Sequence, residues 1–350
     1  MWHVAAPRLS VSRTWHSSCA TQCHGHPQEE PHDGALFTFG LVADVQAALD
    51  VDDGTDEGRC QRYGTATARL SKAVDDWLTR FDRMPVDNYP PSFVLSLGDI
   101  VDGRTDEVTT TQDLAHVLAQ YQRLPRHCPV VHTIGNHCLK FLPREKLLKA
   151  LGMPASYYRM PLTRGWALLV LDTTDLSTHG WEKGSPEARV AEAYLGEHEG
   201  ADRMQRYNGG VGITQQAWLE AELARARSTE TRLIVASHHC LARGACRETH
   251  RAWNGDAIAR LLEASGVVAL ALAGHDHEGG FRQRIGGVPF VTIPALLEAQ
   301  EDGNAYALGS VHSDRIVIDG LGSAVPSRTL PLRMLSRKEP ACDATGDASR

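Results

Sequence analysis

The chain has no long apolar run. Its longest, Val267-Val268-Ala269-Leu270-Ala271-Leu272-Ala273, is about seven residues, far short of the roughly 20 that cross a bilayer as a helix. That excludes a membrane-spanning helix and leads us to expect a soluble chain with no membrane partner. A basic stripe is also missing. Lys and Arg number 36 against 43 Asp and Glu, a formal charge of −7 with scattered arginines, which argues against nucleic acid as a partner. The eight cysteines (Cys19, Cys23, Cys60, Cys128, Cys138, Cys240, Cys246 and Cys342) follow no regular spacing. In a chain of 350 residues they read as reduced thiols, because disulfide frameworks belong mostly to short secreted chains. No repeat of solenoid period is present, and oligomeric state has no readable signal.

A hydrophobic content of 42% is enough for a sizeable core. Residues 1–33 stand apart: they carry Arg8 and Arg13, several Ser and Thr, no acid before Glu29, and no continuous apolar segment of a secretory signal. Two readings follow, a transit peptide for organelle import or an extension without an address on a cytoplasmic protein. Within it, Cys19-x3-Cys23-His24-x-His26 has zinc-like spacing but no core-forming pattern around it, and reads as incidental. Residues 34–331 are expected to form one domain, and 332–350 a polar tail.

Short apolar runs at 35–43, 92–97, 129–134, 166–171, 232–236 and 267–273 read as strands covered on both faces. Between them, Leu70, Ala73, Val74, Trp77, Leu78 and Phe81 form one helical stripe. Leu114, Val117, Leu118 and Tyr121 form another, and Trp218, Leu219, Leu223 and Ala226 a third. Runs at 288–293, 305–311 and 315–318 look like strands without intervening helices. The pattern predicts an α/β sandwich with mixed sheets.

Polar residues with ligand chemistry follow strand after strand. Asp44 and Gln46 follow the first run, Asp99 the second, Asn136 and His137 the third, His238 the fifth, and His275 and His277 the sixth. In open α/β sheets the ligand crevice lies outside the carboxyl ends of strands, so these residues are expected to share one small volume. Any one of them has an ordinary explanation, such as a strand-end Asp capping the next helix. The whole series points to a metal site. Carboxylate, amide and imidazole donors without thiolate suit Mn²⁺, Mg²⁺ or Fe²⁺ better than a structural zinc.

The ordered fragments Asp44-x-Gln46, Gly98-Asp99-x-x-Asp102, Gly135-Asn136-His137, Ser237-His238 and Gly274-His275-x-His277 resemble the calcineurin-like metallophosphoesterase superfamily. Gln46 in a position where most of the superfamily has His, with 143–148, 207–212, 252–254 and 274–280, is similar to its manganese-dependent ADP-ribose/CDP-alcohol diphosphatase branch. The likeness covers roughly residues 37–325. It implies a four-layer α/β/β/α sandwich with two mixed sheets and a pair of divalent ions, Mn²⁺ favoured. One ion would be held by Asp44, Gln46, Asp99 and His277, the other by Asp99, Asn136, His238 and His275, with Asp99 bridging. The paired ions would activate a shared water as hydroxide for in-line attack, and His137 would stabilise or protonate the departing oxygen. Many members place an acid after this His to orient it; here Cys138 stands there, which moves that role to Asp102 or water.

The resemblance implies cleavage of the pyrophosphate of ADP-ribose to AMP and ribose 5-phosphate, or of CDP-choline or CDP-glycerol to CMP and a phospho-alcohol. A phosphomonoesterase or cyclic-nucleotide phosphodiesterase on the same metals is the alternative, and a scaffold without catalysis a third reading that the intact ligand set disfavours. Asp102 stands where purple acid phosphatases would need a tyrosine ligand. Tyr207, Asn208, Gly209 and Gly210 form a turn-rich segment that could set a ring and backbone N–H groups beside substrate. Asn254 either joins them or caps the helix that follows, and Trp253 reads as core. His239 is expected to support the site rather than ligate.

Overall fold

Alternate residues of each strand face opposite sides, and here both sides are covered. The computed structural model describes residues 34–333 except 50, 52–53, 57–58, 83–92, 105, 164, 285–286, 301–302 and 323. The Cys19–His26 cluster and the tail beyond 333 lie outside the described residues. In chain order the elements run β1 (Phe37–Val42), β2 (Gly54–Asp56), β3 (Arg59–Gln61), α1 (Ala66–Asp82), β4 (Phe93–Ser96), α2 (Glu107–Tyr121), β5 (Val130–His132) and α3 (Arg144–Ala150). There follow β6 (Tyr158–Pro161), β7 (Trp166–Val170), β8 (Leu176–Ser177), α4 (Pro186–Glu197), β9 (Gly209–Gly210), α5 (Ile213–Ser228) and β10 (Arg232–Ala236). The chain closes with α6 (Gly255–Ser265), β11 (Val268–Ala273), β12 (Gly280–Arg282), β13 (Phe290–Thr292), β14 (Tyr306–Val311), β15 (Arg315–Leu321) and β16 (Arg328–Pro331).

Two six-stranded sheets result, in the orders β16-β15-β14-β1-β4-β5 and β12-β13-β11-β10-β7-β6. Strands β1, β4 and β5 are parallel, as are β7, β10, β11 and β13; the flanking strands run antiparallel, so both sheets are mixed. Phe37, Phe39, Leu41, Phe93 and Leu95 of the first sheet pack in one cluster with Trp166, Leu168, Val170, Ile234 and Leu270 of the second. The intervening residues turn outward: Val94 meets α1 and α2, while Leu169, Leu233 and Val235 meet α5 and α6. The layers are therefore α/β/β/α. Phe39 and Phe93 stack at 5.3 Å in the central layer, where truncating either would cost about 3–5 kcal/mol.

The helices start and stop by local chemistry. Asp106 caps α2 by accepting from Thr109 N, and Ser185 caps α4 ahead of Pro186. Gly266 ends α6 in the left-handed conformation. No helix among the described residues is long and apolar enough to cross a membrane. Cys128, Cys138, Cys240 and Cys246 are free thiols.

Candidate metal centre

The parallel strands of both sheets end at one edge, and their following turns interlock. Asp44 N donates to Gly98 O, Gln46 N to Asp99 O, Gly274 N to His238 O, and Leu297 N to Asp44 O. The turns are tight enough to force unusual backbones. Among the described residues, the non-glycine positions with positive φ are Asp44 (50°), Gln46 (42°), Asp99 (45°), His275 (67°) and Glu230 (50°). Four of these five belong to the ligand series, and such conformations persist only where surrounding structure imposes them. Gly135 permits the closest approach, since a Cβ there would sit 2.0 Å from Asp99 Oδ1.

Asp44, Asp99 and His238 bring ligand atoms within 4.8 Å of one another, all buried. Asp44 Oδ2 accepts from His275 N at 2.8 Å and Asp99 Oδ1 from His137 N at 2.8 Å. Their other oxygens, Asp44 Oδ1 and Asp99 Oδ2, are buried without a hydrogen-bond partner. His238 Nδ1 donates to Leu97 O at 2.8 Å, so the neutral ring carries its lone pair on Nε2. That lone pair faces Asp99 Oδ2 at 3.1 Å and Asn136 Oδ1 at 3.1 Å. With the ring neutral, three electron-rich atoms turn on one another and call for a cation, a proton or a metal ion, and the orphaned oxygen Asp44 Oδ1 fits the metal.

The other two imidazoles are held in the same manner. Asn208 Nδ2 donates to Arg203 O and Thr249 O, both at 2.8 Å, so its Oδ1 must be the atom that meets His275 Nε2 at 2.7 Å. His275 is thereby an Nε2–H tautomer with Nδ1 left to ligate. His277 Nδ1 donates to Glu298 Oε1 at 2.7 Å, which leaves Nε2 toward Asp44 Oδ1 at 3.8 Å and the Gln46 amide at 3.1 Å. The amide nitrogen of Gln46 makes that contact; a half-turn about its terminal bond presents the oxygen instead. Outer partners that select tautomer and aim are what metal-ligating histidines require.

The electrostatics show the same pull. Burial pushes the Asp44 carboxyl up to about 6 despite the neighbouring His238 and His277. Burial would lower His238, but the Asp99 carboxylate outweighs it and pushes the ring up to about 9. Asp99 is buried as well, yet His238 and His137 hold it well below the usual carboxylate range. Burial, then the adjacent histidines, drive His275 well below an ordinary imidazole, so it stays neutral. A site that draws a proton onto His238 when metal-free would trade it for a metal ion.

His137 lies beside this cluster with a different engagement. Its Nδ1 meets Asp102 Oδ1 at 2.7 Å, and Lys140 Nζ approaches the same nitrogen at 2.8 Å. Burial opposes ionisation of Asp102 most strongly, but the His137 hydrogen bond and the positive charges of His137 and Lys140 together hold the carboxyl below its ordinary value. Asp102 is thus the acid that orients His137. Cys138 is elsewhere engaged: its buried Sγ accepts from Ile100 N at 3.3 Å.

The expected substrate segment divides. Tyr207 is 38% exposed, its ring 5.9 Å from His275 and 5.3 Å from His250. Asn208 corrects our expectation: it is fully buried beneath His275, where it holds the ring rather than a substrate. Gly209 is also buried, in β9 paired with Ser177 of β8, and a Cβ there would meet Thr173 O at 2.3 Å. Asn254 occupies the first cap position of α6 but caps nothing with its side chain; both amide ends close on the backbone of Val211, at 3.0 and 2.7 Å. The Asn254 side chain is thus spent on the backbone of Val211, and Gly209 on its pairing with β8. His239 has both ring nitrogens within reach of hydrogen-bond partners, Thr173 Oγ1 and Tyr207 O, and it also lies with His238 and His275 in a buried group that could hold a metal ion. Trp253 is core.

Glu298 went unnoticed in the sequence. The signal was present, an acid ending the apolar stretch that follows β13, the same strand-end placement as the other members. Asp276 was likewise passed over; it is buried between the histidines and accepts from Arg247 N and Nε, pinning the loop over the site.

Residues 37–279 match the calcineurin-like phosphoesterase family. The chain belongs to that family. A manganese-dependent ADP-ribose/CDP-alcohol diphosphatase of Arabidopsis thaliana is 31% identical over 306 residues, 81% of this chain and 94% of the relative. One from Homo sapiens is 29% identical over 329 residues, 84% and 92% respectively. A dimetal phosphatase from Danio rerio has a solved structure that superposes with a TM-score of 0.76 at 27% identity, over 86% of this chain and 100% of that one. This calcineurin-like phosphoesterase is a metal-dependent hydrolase of phosphate esters or anhydrides.

Proposed function

We propose that this phosphoesterase is a Mn²⁺-dependent diphosphatase that splits the pyrophosphate of ADP-ribose into AMP and ribose 5-phosphate. CDP-alcohols such as CDP-choline and CDP-glycerol would give CMP and a phospho-alcohol. The observation that carries the reading is the converging donor set, Asp44, Gln46, Asp99, Asn136, His238, His275 and His277, whose unpartnered oxygens call for cations. The names of the curated relatives direct it to this substrate class. Asp44, Gln46, Asp99 and His277 would hold one ion, and Asp99, Asn136, His238 and His275 the other. Bound there, two divalent ions supply an activated water and neutralise charge on the reacting phosphate.

The chain's own groups do the rest. Asp44 and Asp99 offset half of the four charges brought by two divalent ions, so the loaded site attracts a pyrophosphate anion. Asp102 accepts from His137 Nδ1 and fixes the ring, so that the imidazolium form, protonated on both nitrogens, can give its Nε2 proton to the departing oxygen and keep the one on Nδ1. Tyr207 offers an exposed aromatic face at the rim for a nucleobase. The test is hydrolysis by metal-stripped protein resupplied with Mn²⁺ or Mg²⁺, comparing ADP-ribose, CDP-choline, cyclic AMP and p-nitrophenyl phosphate with products resolved. AMP or CMP release only with metal, and best with Mn²⁺, is expected. Activity confined to the monoester or cyclic ester would overturn the substrate class, and inactivity toward all four despite bound metal would overturn the reading altogether.

A further inference from the structure

The two halves of the candidate centre are not equivalent. His238, His275 and Asn136 are buried, and the first two have their outer nitrogens bound to neutral oxygens, Leu97 O and Asn208 Oδ1. The other half has His277 as its single imidazole, beside Asp44 and the neutral amide of Gln46. Its histidine faces solvent where the others do not: the His277 side chain is 15% exposed and that of Glu298 12%, against 0% for His238, while Asp44 and Gln46 of the same half are buried. His277 is the one of the three whose outer nitrogen meets a carboxylate, Glu298 Oε1 at 2.7 Å. A charged acceptor orients the ring more firmly than a neutral one and makes its far nitrogen a stronger donor. Arg247 and Glu278 pair at 2.9 Å nearby, and Arg247 also bonds Asp276, so the loop bearing His277 is tied from its other side.

We infer that Glu298 is the positioning residue that retains the solvent-side metal ion, acting through His277, and that the buried half keeps its ion without it. The inference rests on the two-ion reading above. In that arrangement the solvent-side ion is the exchangeable one. Its retention leans on His277, because Gln46 offers a neutral amide and Asp99 is shared with the other ion, which leaves Asp44 and His277 as the strong donors belonging to this half alone.

The test is Mn²⁺ titration of the metal-stripped full chain and of Glu298→Gln and Glu298→Ala, followed by electron paramagnetic resonance and metal analysis. Native protein should take up two ions and show the exchange-coupled signal of a pair. In Glu298→Ala, one ion should bind as in native protein and the second about 10–100-fold more weakly. At limiting Mn²⁺ the coupled signal should then give way to the six-line signal of an isolated ion. Glu298→Gln keeps an acceptor for His277 and should fall between; it also carries the test if the alanine variant fails to fold. Native affinity for both ions in Glu298→Gln and in any folded Glu298→Ala would overturn the inference, as would equal weakening of both ions. A native protein holding a single ion would instead sink the two-ion reading; Glu298 would then stand only if its loss weakened that ion.

Discussion

Replacing Asn208 by alanine separates a residue that touches substrate from one that builds the metal site. In the native fold Asn208 is fully buried and makes three hydrogen bonds, to Arg203 O, Thr249 O and the Nε2–H of His275. Alanine leaves two carbonyls and one ring N–H without partners. Each buried polar group so stranded costs about 1–3 kcal/mol. Water entering the vacated space recovers part of that, so we take the lower end, about 3 kcal/mol in all. In a domain of this size such a loss lowers Tm by about 5–10 °C. The second effect is chemical. Freed from Asn208, His275 can place its proton on Nδ1, the nitrogen needed for the metal, and binding at that half should weaken by about 10–100-fold. Calorimetry of metal-free Asn208→Ala, with metal analysis after dialysis against limiting Mn²⁺, reads both effects. A variant with unchanged Tm and full metal content, but with a raised KM, would refute the reasoning and make Asn208 a substrate contact after all.

Metal uptake should release protons with a defined pH slope. His238, pushed up to about 9 when metal-free, and His277, raised against its burial by Glu298 and Asp44, must both lose their protons to ligate, so apparent Mn²⁺ affinity should rise at least tenfold per pH unit from roughly 6 to 9 and level off above. Below about 6, Asp44 protonates as well and the slope should steepen, which isothermal titration across pH in buffers of differing ionisation enthalpy would measure. A flat profile would refute the assignment of His238 as a ligand. Asp102→Asn removes a charge-assisted hydrogen bond worth about 1.5–3 kcal/mol and should lower kcat by roughly 10–100-fold with both ions retained. His137→Ala should lower kcat further, again with metal content intact; loss of metal would make His137 a ligand. Tyr207→Ala should raise KM for ADP-ribose about tenfold or more by removing a stacking face, with little change in kcat in steady-state assays. Gly135→Ala, whose Cβ would fall 2.0 Å from Asp99 Oδ1, should abolish metal binding by direct analysis.

The main strands were legible because a buried strand needs only local information, a short apolar run that stops at polar residues. The runs at 35–43, 92–97, 232–236 and 267–273 correspond to β1, β4, β10 and β11, and the stripe from Leu70 to Phe81 lies within α1. Strands β2, β3, β8, β9 and β12 were not, since two or three residues carry no periodicity and pairing alone makes them strands. Helix α4 escaped for a related reason: its buried side is narrow, with Ala191 and Leu195, and a surface helix of that kind hardly departs from a polar loop in pattern.

The chemistry of the site divides along the same line. Which residue types could ligate, and that they stand at strand ends, is written in short stretches of chain, because strand direction and the following turn are local. Which nitrogen each imidazole offers is not. That is decided by Leu97 O, Asn208 and Glu298, set against His238, His275 and His277 from 141, 67 and 21 positions away. Asp102 meets His137 across 35 positions, where no neighbour in sequence could serve. Sequence alone determined the donors and the sheet edge that gathers them. Only the packing of one sheet's turns on the other's decided proton positions, because a tautomer is set by the partner that happens to lie within 3 Å of the far side of the ring.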